Sequence, residues 1–188
     1  TLKKYKLTSG FYTGIRHNFP GSGYIDFHED NIIVVSSRGI LAFRKNTKNI
    51  KENFKQIQNN INDFIGIQQF EKNNRFSLKD ILIFNDNVFI SYTQEIKKDC
   101  WNTSVIYGNM NYENIEFRKH FSPNECVHSI NNIDKEFNGH SSGGRIQIFD
   151  KNHILLSVWE YLERYLAQEK TSVNGKIIKI NIENSDHE

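Results

Sequence analysis

Asp80-Ile81-Leu82-Ile83-Phe84-Asn85-Asp86-Asn87-Val88-Phe89-Ile90-Ser91-Tyr92-Thr93 is an apolar run ending in Phe, a short polar turn ending in Asn, and a second apolar run that contains a serine. Two runs this short, separated by Asn and Asp, read as a β-hairpin, because those side chains tolerate positive φ and bond their own backbone. The same order recurs at residues 24–37, with the turn His28-Glu29-Asp30-Asn31, and at residues 145–158, with the turn Asp150-Lys151-Asn152. Three copies of one hairpin predict an all-β chain built by repetition.

Further strand candidates follow each copy: residues 39–44 after the first, 103–108 and 115–121 after the second, and 175–182 after the third. A hairpin with one or two added strands is the content of a propeller blade, so about three blade-like units are expected, near residues 20–48, 77–125 and 143–183. The spacing from Phe27 to Phe84 to Phe149 exceeds the roughly 40 to 50 residues of a regular blade. Insertions are therefore expected, and residues 49–62 carry Ile50, Phe54, Ile57 and Ile61 at helical spacing, which predicts a short amphipathic helix outside the sheets. The alternative arrangement is a β-sandwich of three unrelated hairpins.

Composition narrows the class. A chain of 188 residues can bury one good core. Its net charge is +2, with Lys and Arg dispersed among acids, so no nucleic-acid partner is expected. No apolar stretch approaches the roughly 20 residues of a membrane span. The chain begins at Thr1 rather than Met, which fits processing or truncation.

Cys100 stands just before the strand candidate that starts at Trp101, and Cys126 just after the one that ends at Phe121. If those strands pair through a turn near Asn111 and Tyr112, the cysteines come nearly opposite and a disulfide is geometrically reasonable. Such a bridge points to an oxidising, periplasmic or extracellular compartment. Two free thiols flanking a hairpin are the other reading.

The chemistry-bearing stretch is Gly139-His140-Ser141-Ser142-Gly143-Gly144-Arg145. A histidine on a loop at the mouth of a strand is well placed to act as a general base, and His140 is the catalytic candidate. Arg145 is read first as a structural residue bonding loop carbonyls and second as a substrate contact. His17, His28, His120, His128, His153 and His187 show no ligand spacing, so no metal site is assigned to them.

The order of His140, Gly143-Gly144-Arg145, the strands of residues 146–157, Ala167-Gln168 and Asn174-Gly175-Lys176 resembles the glucose/sorbosone dehydrogenase family of quinoprotein sugar dehydrogenases. Residues 31–40 and 78–93 resemble the first- and second-blade strands of that family. The resemblance implies part of a six-bladed propeller, a sugar substrate, and the cofactors pyrroloquinoline quinone (PQQ) and calcium. It implies that His140 takes a proton from a sugar hydroxyl. In the family, the quinone and calcium are held by blades that follow the Asn-Gly-Lys strand, so the resemblance implies either that the chain is a fragment or that a second chain or copy completes the ring. Gly139 before His140, Arg75 near a sugar-contacting position, and Trp159-Glu160 at the end of the third hairpin depart from the family pattern. They support the alternative of a non-catalytic propeller module that binds carbohydrate or protein.

Overall fold

The computed structural model describes residues 23–46, 53–72 and 76–188. Three antiparallel meanders follow one another. The first holds β1 (Gly23–His28), β2 (Asn31–Ser36), β3 (Leu41–Lys45) and β4 (Lys55–Asn59). After a 3-10 turn at Ile61–Asp63 and the helix α1 (Ile67–Lys72), the second holds β5 (Leu78–Phe84), β6 (Asn87–Lys97) and β7 (Cys100–Asn109). The third holds β11 (Gly143–Ile148), β12 (His153–Val158) and β13 (Lys176–Asn181). The three repeated hairpins are β1-β2, β5-β6 and β11-β12, paired as their turns predict. Asn85 and Asp86 both take positive φ, at 49° and 59°, while in the first turn the left-handed residue is Glu29, at 51°.

The sheets stack, and the middle one is buried on both faces. Val88 and Ile90 pack with Ile33, Val35, Leu41 and Ile57 of the first sheet. Their neighbours Phe89 and Val105 pack with Ile146, Ile154, Leu156 and Ile178 of the third. The period-2 alternation of a strand thus feeds two cores from one hairpin. Two facing sheets of a sandwich would have buried one face each. The fold class is all-β, of the propeller type.

Two expectations need correction. The described part of the expected amphipathic helix, residues 53–62, is not helical in that way: Lys55–Asn59 is the strand β4, which pairs with β3 through Leu41↔Ile57, Ala42↔Gln56 and Phe43↔Lys55. Ile50 lies outside the described residues. The edge of β3 offers a row of backbone groups, and pairing them while burying Ile57 outweighs a marginal helical period. Residues 115–121, expected as one strand, are split. β8 (Asn114–Ile115) runs parallel to β4 in the first sheet, whereas β9 (Arg118–Phe121) joins β7 in the second. Asn60 holds the crossing point, with its side chain accepting from Phe117 N–H at 2.7 Å and donating to Phe117 O at 3.1 Å.

Cys100 and Cys126 are joined in a disulfide, with their Cα atoms 5.3 Å apart. The register that brings them together comes from the short strand β10 (Val127–His128), paired as Val127↔Trp101 and His128↔Cys100. Beside the bridge, Trp101 stacks on Phe76 with ring centroids 3.6 Å apart.

Candidate functional site

The turn that carries His140 lies across the middle sheet and is held there through its main chain. Lys79 Nζ donates to Gly139 O at 3.2 Å, Thr103 Oγ1 to Ser142 O at 2.6 Å, and Ser91 Oγ to Gly144 O. Asp80 receives both the Ile146 N–H, at 3.0 Å, and Arg145 Nη1, at 3.1 Å. Ser157 Oγ accepts from Arg145 N–H at 3.0 Å. Each of these groups projects from β5, β6, β7 or β12, so the sheets set where the turn sits.

Glycine is required where the turn meets the sheet. Gly143 and Gly144 take φ of +71° and +104°, and a Cβ on Gly144 would run into the Lys79 side chain. The register shift between Gly143 and Ile146 is the resulting bulge, which aims the turn out of the strand.

On the other side, residues 159–161 run back along the turn. Trp159 N–H donates to Ser142 O at 3.2 Å, Tyr161 N–H to Ser141 O at 2.9 Å, and Asn138 N–H to Tyr161 O at 3.0 Å. Tyr161 and Leu162 hold left-handed φ of 53° and 78°. Such residues cost about 1–3 kcal/mol each and persist only where contacts over-determine them. Here both main-chain groups of Tyr161 are bonded, and its buried hydroxyl lies 3.2 Å from Thr103 Oγ1. His140 itself is exposed at the apex, with its N–H donated to Asn138 Oδ1 at 3.0 Å.

The electrostatics follow from burial. Desolvation lowers the Lys79 ammonium to about 8. Desolvation also raises Asp80, against the opposing pull of the Ile146 N–H and the Arg145 guanidinium. Arg145 pairs with this carboxylate rather than with loop carbonyls, and the rest of its side chain is exposed.

The remaining histidines are spread through the fold. His28 lies between Tyr112 Oη at 2.7 Å and Asp86 at 2.8 Å, and His153 pairs with Asp150 at 2.9 Å. His120 is buried between Phe89 and Tyr107, and burial lowers it. His187 packs edge-on against Phe121, and His128 sits exposed on β10. His17 and Arg75 lie outside the described residues. A cleft of ≈ 350 Å³ is lined by Tyr107, Asn109, Asn114, Glu116 and Arg118 among others, and includes no residue of the His140 turn.

Among the described residues no three His, Cys, Asp or Glu side chains come together to hold a metal ion. The cations flanking the turn are already engaged: Lys79 by Gly139, Arg145 by Asp80, and Arg164 by Glu136 and Asp134. The cations nearest the His140 turn are thus committed to partners within the chain.

Lys79, Asp80, Thr103 and Tyr161 did not emerge from the sequence as site residues. One signal was present, however, in the repeated serine of the second strand. Ser36 accepts from Ile40 N–H at 3.0 Å, while Ser91 and Ser157 grip the backbone of Gly144 and Arg145.

No protein-family profile and no characterised protein sequence matches the chain. Solved structures do. A glucose dehydrogenase superposes with a TM-score of 0.59 at 16% identity, over 87% of this chain and 48% of its own length. A second glucose dehydrogenase gives 0.57 at 17%, over 87% and 45%. The soluble aldose sugar dehydrogenase of Escherichia coli, in its apo form, gives 0.58 at 18%, over 86% and 44%. The fold is thus that of part of a sugar dehydrogenase, and the chain spans less than half the length of these neighbours. No helix among the described residues is long and apolar enough to cross a membrane, and the disulfide suits an oxidising compartment.

Proposed function

We propose that the chain is part of a sugar-oxidising propeller in which His140 is the base for a sugar hydroxyl. The observation that carries this reading is the His140 turn, fixed to the middle sheet by Lys79, Asp80, Ser91 and Thr103 and presenting an exposed imidazole on an otherwise immobilised loop. A general base has to be held within hydrogen-bond reach of the proton it removes, and a turn anchored at this many main-chain atoms supplies that fixed position. We read the three meanders as the blade-like units expected near residues 20–48, 77–125 and 143–183, the first of them extended by β4 to Asn59. Arg145, which pairs with Asp80 through Nη1 and is otherwise exposed, is the neighbour that a sugar hydroxyl would meet.

This chain contributes the base and its support. By resemblance the oxidant is PQQ with calcium, held by blades that a second chain, a second copy or further sequence would supply. A periplasmic or secreted location agrees with the disulfide. The test is dye-linked oxidation of a panel of aldoses by the full gene product supplied with PQQ and calcium. His140→Gln is expected to lower kcat by about 10²–10⁴-fold without loss of fold. Undiminished turnover in that variant would remove His140 from the chemistry. Absence of turnover and of quinone binding by the full-length protein would favour the non-catalytic module.

A further inference from the structure

We infer that His120 is an acid-sensitive latch: its neutral imidazole allows residues 183–188 to close over it, and its protonation releases them. The inference does not depend on the role of His140. His120 stands on β9 between the rings of Phe89 and Tyr107, at centroid distances of 5.4 and 5.0 Å, and is 6% exposed. Ser185 Oγ lies 3.5 Å from its Nδ1. Nε2 is buried and has no hydrogen-bond partner among the described residues. A neutral imidazole carries one N–H, whereas an imidazolium donates from both nitrogens. The charged ring would therefore hold a buried donor with no acceptor, on top of the cost of desolvating the charge. Burial accordingly lowers His120 from 6.5, against the opposing pull of the Asn181 backbone.

Of the walls around this ring, residues 183–188 are the one placed to move. Phe89 belongs to the middle sheet, which has a core on each face. Ile182 anchors the start of the segment, with its N–H on Asn152 O at 2.9 Å, and local bonds close the turn onto Asn181. Beyond Ser185, which bends at a φ of 64°, the segment lies along the edge of β13. It is held there by Lys179 N–H to Glu188 O at 2.9 Å, Glu188 N–H to Lys179 O at 3.1 Å and Asn181 N–H to Asp186 O at 2.8 Å. The Lys179–Glu188 ion pair and His187 against Phe121 complete the contact. A short edge segment with so few bonds opens at lower cost than a strand buried on both faces. The titratable groups on the surrounding elements are Arg118 and Lys119 on β9, Tyr107 on β7, Lys179 on β13, and Glu183, Asp186, His187 and Glu188 on the segment. None of them is a cause of the shift of His120, which burial dominates. Below 6.5 the open form takes up a proton that the closed form refuses, so opening rises as pH falls, by up to about tenfold per pH unit.

Hydrogen exchange of the intact protein at the Lys179, Asn181 and Glu188 amides, corrected for intrinsic rates, reads this opening. Between about pH 7.5 and about pH 5.5, above the range where carboxylates titrate, the opening constant is expected to rise at least about fivefold. His120→Phe keeps the aromatic packing and should remove the rise, whereas His187→Gln should keep it. The ring C–H resonances of His120 in the wild type should titrate below 6.5, a measurement that needs no variant. Opening that stays flat with pH, a rise that survives His120→Phe, or a rise lost in His187→Gln overturns the latch. A His120 ring that titrates at or above 6.5 does the same.

Discussion

Lys79 is a lysine whose ammonium is turned beneath a loop, where it donates to Gly139 O. Burial disfavours its charged form and lowers it from 10.5 to about 8. Between those values the unfolded chain binds the proton that the folded chain has released, so stability rises with pH across that window. Below about 8 both states are protonated, and the folded state bears the full cost of the buried charge. Thermal melts of wild type and Lys79→Met should therefore diverge in favour of wild type, by more than about 1 kcal/mol, as pH climbs from about 8 toward 10.5. A difference that stays flat or shrinks contradicts the burial. At this scale the sequence pointed to His140 and to its glycines, because a histidine, two glycines and an arginine at a strand mouth are legible as a motif. It did not point to Lys79, Asp80 or Tyr161, which reach the turn from elsewhere in the chain. Arg145 shows the same limit: its type was readable, but its partner was Asp80 rather than the loop carbonyls that proximity suggested.

The elements were most legible where a period was reinforced by a turn. The three hairpins fall where their Asn and Asp turns place them, and β13 (Lys176–Asn181) lies within its expected range. They were least legible at sheet edges, where β4 replaced a helix and β8 and β9 divided one expected strand. Short polar segments carry too weak a local preference to resist an open edge that can pair with them. The disulfide belongs to this scale, since it clamps the start of β7 to β10. With a sequence separation of 26, its removal should cost about 3 kcal/mol and lower the melting temperature by roughly 6–12 °C. Melting a Cys100→Ala, Cys126→Ala double variant tests the magnitude. A mass shift on alkylation only after reduction tests the bond itself in protein from its native compartment.

For the molecule as a whole, the central fact is a middle sheet with a core on each face. Val88, Phe89, Ile90, Val105 and Ile106 are all 0% exposed, whereas the third sheet leaves Ile177 69% exposed on its outer face. Native-state hydrogen exchange should consequently find its slowest amides in β6 and β7, exchanging only by global unfolding, and faster exchange in β13. Equal protection of β13 and β6 would mean that the outer face of the third sheet is covered in solution, as completion of a ring by a second chain or copy requires. The sequence by itself determined the all-β class, the repeated hairpin and the motif around His140, because alternation, turn residues and motif spacing are local and written in order along the chain. The stacking of the sheets, the strands added at their edges and the partners that hold the His140 turn were decided by tertiary structure alone. Those depend on which backbone edges and side chains meet across long separations, from Lys79 to Gly139 and from Asp80 to Ile146, and no local pattern encodes such a meeting.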